Sequence, residues 1–267
     1  MLNRIDQKFA ALRAAGQKGL IAYISAGDPN LDTTRELAWG FEAAGVDILE
    51  LGVPFSDPLA DGAVNQLAAA RALASGTTAR GVLECVRAIR LKSQLPIVLY
   101  TYMNPIYRFG FADFHREAEA AGVDGLLILD LPPDEDAVNS ELVQQSSLKR
   151  IRLIAPTTPP ARIAQLTSGA SGFIYYVSRE GVTGEQSEMA ASLPAQVAAI
   201  RATTSLPIAV GFGISNATHV REVARHADAV VVGSAIVKRV AEFGQNREIV
   251  AKLTEFVGPL AEAAHDS

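Results

Sequence analysis

The chain has 267 residues, is 49% hydrophobic and 20% charged, and carries a formal net charge of -5, which gives it material for a full core and excludes disordered and fibrous classes. An acidic protein without a Lys/Arg run has no general attraction for nucleic acid or an anionic membrane, so any anionic ligand must be held by local geometry. The single cysteine, Cys85, excludes an intrachain disulfide and a thiolate metal cluster, and neither a secretory h-region nor an apolar run of about 18 residues is present, so a soluble cytoplasmic protein is expected.

In chain order, the first element is a helix carrying Ile5, Phe9 and Leu12 on one face, placed to cover the floor of a barrel. Eight short apolar runs follow, at 19–25, 46–52, 95–101, 124–130, 150–155, 172–178, 206–212 and 228–233. Most lack polar alternation, as strands covered on both faces of a parallel sheet do. Between them apolar residues recur at helical spacing: Leu37, Phe41 and Ala44; Val82, Val86 and Ile89, with Cys85 among them; Phe111, Phe114 and Ala118; Val220, Val223 and Ala224. Gly45 and Gly122 stand where helices should stop. A last outer helix bears Ile249, Leu253, Phe256 and Leu260. Eight βα units predict one α/β domain over 1–267, a closed (β/α)8 TIM barrel with an extra N-terminal helix; a doubly wound open sheet is the alternative.

In such a barrel the reacting groups come from the C-terminal strand ends. Those ends offer Asp28; Glu50, Asp57 and Asp61; Tyr102 and Asn104; Asp130; Thr157 and Thr158; Ser178 and Arg179; Gly211 and Gly213; Gly233 and Ser234. The stretch LELGVPFSDPLADGAVNQ, 49–66, ends a hydrophobic strand in Glu50 and reaches Asp61 through a loop stiffened by Pro54 and Pro58. An unpaired charge inside an apolar strand costs several kcal/mol, so Glu50 is expected to have a partner or a task. Two acids in different environments can divide proton transfer from charge stabilisation. For Asp57 alone, a solvated acidic loop is an equal reading.

No lysine stands at a strand end to form a Schiff base, and His115, His219, His226 and His265 are scattered over helices and tail, read as solvated helix-face residues rather than metal ligands. What remains is proton transfer by carboxylates without metal or cofactor. The segments GFGIS at 211–215 and GSAIV at 233–237 put glycine and a helix start directly after a strand, a phosphate cradle or merely a pair of tight turns. The segment 178–194 is longer than an ordinary βα loop; it is read as a lid in which Thr183 touches an acid below, with a floppy surface loop as the alternative.

Together LELGVPFSDPLADG, AGDP at 26–29, YYVSREGVTG at 175–184, GFGIS and GSAIVK resemble, in order, the blocks of the tryptophan synthase α-subunit family. The resemblance spans essentially the whole chain; its first block is highly specific, whereas the glycine-rich ones occur in other phosphate-binding barrels. It implies retro-aldol cleavage of indole-3-glycerol phosphate to indole and glyceraldehyde 3-phosphate. It also implies a β-subunit partner, in an α2β2 heterotetramer, that holds pyridoxal phosphate and consumes the indole, with no cofactor or metal in this chain. By the same resemblance Glu50 is the general acid/base and Asp61 the carboxylate that pairs with the indole nitrogen. Tyr23, Tyr102 and Leu127 form the indole pocket, and Tyr175 and Thr183 line the site. Gly184, Phe212, Gly213, Gly233 and Ser234 grip the phosphate, and Asp57, Pro58 and Asn104 face the partner.

The chain departs from the pattern at Ala63 and Asn65, where the family usually has Pro and a bulky aliphatic, and at Ala22, where it has Pro. Ala63 removes a restraint on φ after Asp61 and Asn65 puts an amide where an apolar contact is expected, so loop geometry or partner docking should differ. The competing readings are a stand-alone lyase that releases indole, a non-catalytic barrel that binds a phosphorylated ligand and regulates a partner, and an isomerase acting on a phosphorylated anthranilate sugar.

Overall fold

The computed structural model of the chain describes residues 3–132, 146–177, 185–211 and 213–267, with side chains throughout except at 185–192. Nine parallel strands form one sheet: β1 Gly19–Ser25, β2 Ile48–Gly52, β3 Ile97–Thr101, β4 Gly125–Ile128, β5 Lys149–Arg150, β6 Arg152–Ile154, β7 Ile174–Val177, β8 Ile208–Gly211 and β9 Ala229–Val232. Their order, β5-β4-β3-β2-β1-β9-β8-β7-β6, follows the chain without a reversal, which is barrel topology and not that of a doubly wound sheet. The two ends of this order, β5 and β6, are separated only by Ile151, so the sheet closes through consecutive residues. The predicted strand 150–155 is therefore two pieces: β5 pairs with β4 and β6 with β7, and the chain changes partner at Ile151.

The helices are α1 Arg4–Ala15, α2 Leu31–Ala43, α3 Ala63–Ala74, α4 Ala79–Arg90, α5 Met103–Phe109, α6 Phe111–Ala121, α7 Pro160–Ser168, α8 Glu185–Arg201, α9 Ala217–Ala224, α10 Ser234–Phe243 and α11 Ile249–His265. The sequence reading missed α3 and α5, which are inserted before α4 and α6. It also placed in a loop the residues from Glu185 to Pro194, which are helical; Pro194, read as a boundary, lies inside α8. Gly45 and Gly122 do end helices, with φ of 93° and 91°, a backbone open to glycine. None of these helices is long and apolar enough to cross a membrane, among the described residues.

All seven residues of β1 and all five of β2 are buried, because helices cover the outer face and side chains fill the interior. Alternation sorts them: Leu20, Ala22, Leu49, Leu51, Ile97 and Leu99 pack outward under the helices, whereas Ile21, Ile48, Val98, Leu127, Phe173, Ala209 and Ala229 fill the barrel. Helix α1, capped by Asn3 through its bond from the Ile5 N–H at 2.9 Å, drives Ile5, Phe9 and Leu12 into that lower layer. The Phe9 and Phe173 rings meet at 5.7 Å. The floor is thus plugged, and each such apolar side chain contributes about 1.5–3 kcal/mol.

Buried charge at this lower end is paired. Asp124 accepts from Arg90 at 2.7 Å, Arg4 at 3.0 Å and the Ile97 N–H at 2.8 Å. Asp47 accepts from the Leu20 N–H at 2.8 Å and lies 2.9 Å from His265 Nε2 and 3.3 Å from Lys8 Nζ. Two histidine expectations need correction. His115, 6% exposed, is packed against Phe111 and Phe114 with Nδ1 on the Phe111 carbonyl, and burial lowers its pKa. His265 is half-buried in the Asp47 cluster, while His219 and His226 are exposed as expected. Cys85 is buried as predicted, which pushes its thiol up to about 12.

Candidate active site

One step above the apolar layer, the inward positions change character. Tyr23 stands two residues after Ile21, Glu50 after Ile48, Tyr100 after Val98 and Tyr175 after Phe173, so the same two-residue period that fills the floor builds a ring of three phenols around one carboxyl group. Glu50 is registered beside Tyr23 on β1 and Val98 on β3. Two glycines make the ring possible. A Cβ on Gly52 would lie 2.6 Å from the Tyr23 hydroxyl, and one on Gly211 would lie 2.7 Å from that of Tyr175. Gly211 was read as part of a phosphate cradle; its missing side chain is filled from within, by Tyr175.

Glu50 is 1% exposed and its Oε1 has no hydrogen-bond partner among the described residues. Burial, with the nearby negative charge of Asp61 second, pushes its pKa from 4.5 to about 8. Asp61 reaches the same cavity from the β2–α3 loop and is treated differently. Tyr100 Oη donates to Oδ1 at 2.9 Å, Tyr102 Oη to Oδ2 at 2.7 Å, and Asn65 Nδ2 approaches Oδ1 at 3.4 Å. Burial raises the pKa of Asp61, but these three donors oppose the rise. Burial pushes both carboxyls upward, but Asp61 has donors that counter the rise, whereas Glu50 Oε1 has none among the described residues. The surrounding phenols Tyr23, Tyr100 and Tyr175 are raised well above 10.0, chiefly by burial, and so remain donors.

The Asp61 loop is tied down. The Asp61 N–H donates to the Pro58 carbonyl at 3.0 Å, the Ala60 N–H to Tyr102 Oη at 3.1 Å, and Gln66 Nε2 to the Asp61 carbonyl at 2.9 Å. Tyr102 is therefore a brace for Asp61 as well as a wall, its ring 5.4 Å from that of Phe55. Leu127 belongs to the buried interior layer on β4. Across the mouth, Gly213 has φ of 52°, and Gly233 precedes Ser234 at the start of α10, where no side chain caps the helix. Around the Asp61 loop, Asp57 and Asn104 are exposed and Pro58 half-buried, and Leu59, the residue after Pro58, is 89% exposed. Thr183, Gly184 and Phe212 lie outside the described residues, as do Ser178 and Arg179.

Other strand-end polar residues serve the scaffold. Asp28 is buried and takes a bidentate pair from Arg71, at 2.9 and 2.7 Å, which ties the β1 loop to α3. Asp130 accepts the Met103 N–H at 2.7 Å, and Thr158 Oγ1 that of Ala155 at 3.0 Å. No group of three or more metal-ligating side chains is assembled among the described residues. Tyr100 and Asn65 were missed as site residues. The inward parity of Tyr100 with Val98 was the available signal; for Asn65 only its departure from the expected aliphatic stood out.

A family model for the tryptophan synthase alpha chain matches residues 9–265. The tryptophan synthase alpha chain of Opitutus terrae is 52% identical over 97% of this chain and 98% of its own length. That of Citrifermentans bemidjiense is 48% identical over 98% and 97%. The crystal structure of tryptophan synthase subunit alpha from Legionella pneumophila superposes with a TM-score of 0.90 at 35% identity, covering 99% of both chains. A likeness that runs from α1 to α11 embraces the barrel and both cavity acids, and the chain belongs to the tryptophan synthase alpha chain family.

Proposed function

We propose that Glu50 and Asp61 perform the chemistry of this alpha chain, with Glu50 moving protons and Asp61 holding negative charge against the indole nitrogen. The reaction follows from the family: the chain is a lyase that cleaves indole-3-glycerol phosphate to indole and glyceraldehyde 3-phosphate, and it requires no cofactor, pyridoxal phosphate belonging to the β subunit. The relatives lend no support to the stand-alone or the non-catalytic alternative.

The observation that carries the assignment is the contrast between the two acids: Glu50 buried with an oxygen unpartnered among the described residues, Asp61 held by three donors. A Glu50 whose pKa is about 8 keeps its proton at pH 7 and can deliver it to indole C3. The resulting indoleninium is positive at nitrogen, where an anionic Asp61 stabilises it. The Glu50 carboxylate then removes the proton from the glycerol hydroxyl next to the scissile bond; as the C–C bond breaks, its electron pair restores the indole ring and the hydroxyl carbon becomes a carbonyl. The ring is its own electron sink, so no Schiff base is needed.

Around this pair we assign Tyr23, Tyr102 and Leu127 to the indole slot, and Tyr175 and Thr183 to the lining of the substrate site. Gly184, Phe212, Gly213, Gly233 and Ser234 are assigned to the phosphate, which the uncapped start of α10 suits. We further propose a single barrel domain over 1–267, a cytoplasmic location, and an α2β2 heterotetramer with the β subunit docked on the rim of Asp57, Pro58 and Asn104. The deciding measurement is indole release from indole-3-glycerol phosphate by the wild type, Glu50→Gln and Asp61→Asn. Both variants should lose turnover by at least about a hundredfold; near-normal turnover in Glu50→Gln would remove it as the acid/base. Co-sedimentation with a β subunit tests the assembly.

A further inference from the structure

The upper barrel gives Asp61 more donors than a carboxylate at a loop end would need for solubility alone. Two come from one strand: Tyr100 and Tyr102 on and just after β3, one on each carboxylate oxygen, at 2.9 and 2.7 Å. Tyr102 is also bound to the Ala60 N–H, so it follows the loop; Tyr100 is fixed by the barrel itself, half-buried with its ring edge-on to Tyr23 at 5.1 Å between centroids. A carboxylate pinned at both oxygens by strand-borne phenols has its plane and azimuth set before a ligand arrives.

We propose that Tyr100, assisted by Asn65, is a positioning residue that fixes the Asp61 carboxylate as an anion in the orientation the reaction uses. The inference rests on the reading of Asp61 as the anion facing the indole nitrogen. Tyr100 acts through Asp61 and supplies no reacting atom. Both donors converge on Oδ1, one from a strand and one from the first turn of α3, and Oδ2 is held by Tyr102, so the carboxylate is oriented from two elements of chain, β3 with its end and α3. The residue Asn65, an amide where the family pattern has an aliphatic, thereby acquires a use. The charged and titratable groups that face Asp61 are Glu50 from β2, Tyr23 from β1, Tyr100 and Tyr102 from β3 and Tyr175 from β7. Among them the donors Tyr100 and Tyr102, with the amide of Asn65, favour its ionised form.

The test is a pH profile of kcat/KM for wild type, Tyr100→Phe, Asn65→Ala and Asp61→Asn, with circular dichroism to verify folding. Tyr100→Phe deletes one oxygen and keeps the ring against Tyr23. It should lower kcat/KM about tenfold at neutral pH, the scale of one hydrogen bond to a charged group, and move the acid limb of the profile to higher pH. Asn65→Ala should move the limb the same way by less, since its bond is longer. An inactive Asp61→Asn beside a Tyr100→Phe within twofold of wild type, its acid limb unmoved, would overturn the role of Tyr100. So would a uniform loss with no movement of the limb, which marks a packing role only. If Asp61→Asn itself turns over normally, the reading of Asp61 fails, and the positioning role falls with it.

Discussion

Glu50 should make this protein less stable than it would be with a neutral side chain, and by an amount that depends on pH. In the unfolded chain the carboxyl titrates near 4.5, whereas burial beside Asp61 raises it to about 8 in the fold. An acid shifted upward stabilises the fold fully only below its unfolded value and loses that contribution as pH rises through the folded one. At pH 7 the unfolded carboxyl has been free to ionise over about two and a half pH units while the folded one keeps its proton, a penalty of about 3 kcal/mol. Above the folded value the penalty levels off near about 5 kcal/mol. The isosteric Glu50→Gln carries no such penalty. Urea unfolding of the two proteins, followed by circular dichroism at about pH 5, 7 and 9, should show nearly coincident stabilities at the lowest pH and a widening advantage for the variant above it. On the role proposed for Glu50, activity would be lost as stability is gained. Stability curves that run parallel from pH 5 to 9 would refute the claim that Glu50 is buried as a neutral acid.

Two other perturbations probe different parts of the molecule. Gly211→Ala would place a Cβ 2.7 Å from the Tyr175 hydroxyl; the ring must shift, and a stability loss of about 1–3 kcal/mol with reduced turnover is expected from unfolding and steady-state assays. His265 has its pKa raised above 6.5, chiefly by its hydrogen bond to Asp47, with Lys8 opposing and Asp266 assisting. Its contribution is complete below the unfolded value and fades as pH rises through the folded one, so His265→Ala should lower Tm more at about pH 5.5 than at about pH 8.5. An equal deficit at both would show that the charge on His265 is not what secures the end of α11.

Much of the barrel was legible because parallel strands buried on both faces have to be written in nearly continuous apolar residues, and the eight runs are. The floor helix was legible because Ile5, Phe9 and Leu12 repeat at helical spacing with nothing else to bury them. Helix α3 was not, since AVNQLAAARALA has alanine on every side and no sharp apolar stripe; α5 has seven residues, too few for a period to emerge. The break at Ile151 depends on which neighbours the chain meets on either side, information that no single strand carries. Within the site, Glu50 stood out because a lone acid in an apolar strand is costly. Tyr100 did not, because a tyrosine in a strand is ordinary until curvature brings its hydroxyl to a carboxylate from a distant loop. The surroundings of Gly211 were hidden for a related reason: a glycine looks identical in sequence whether a ligand or another side chain takes up the space beside it.

Gly52 with Tyr23, and Gly211 with Tyr175, are each two halves of a single volume shared between residues on different parts of the barrel wall. Neither member is free to change by itself: a larger residue in place of the glycine collides with the phenol, and a smaller residue in place of the phenol opens a hole beside the glycine. A compensated exchange, with bulk transferred from one wall to the other, would preserve the filling yet carry the hydroxyl across the cavity. Descendants of this chain can therefore retune the surroundings of Glu50 by paired steps while leaving the amount of matter inside the barrel unchanged.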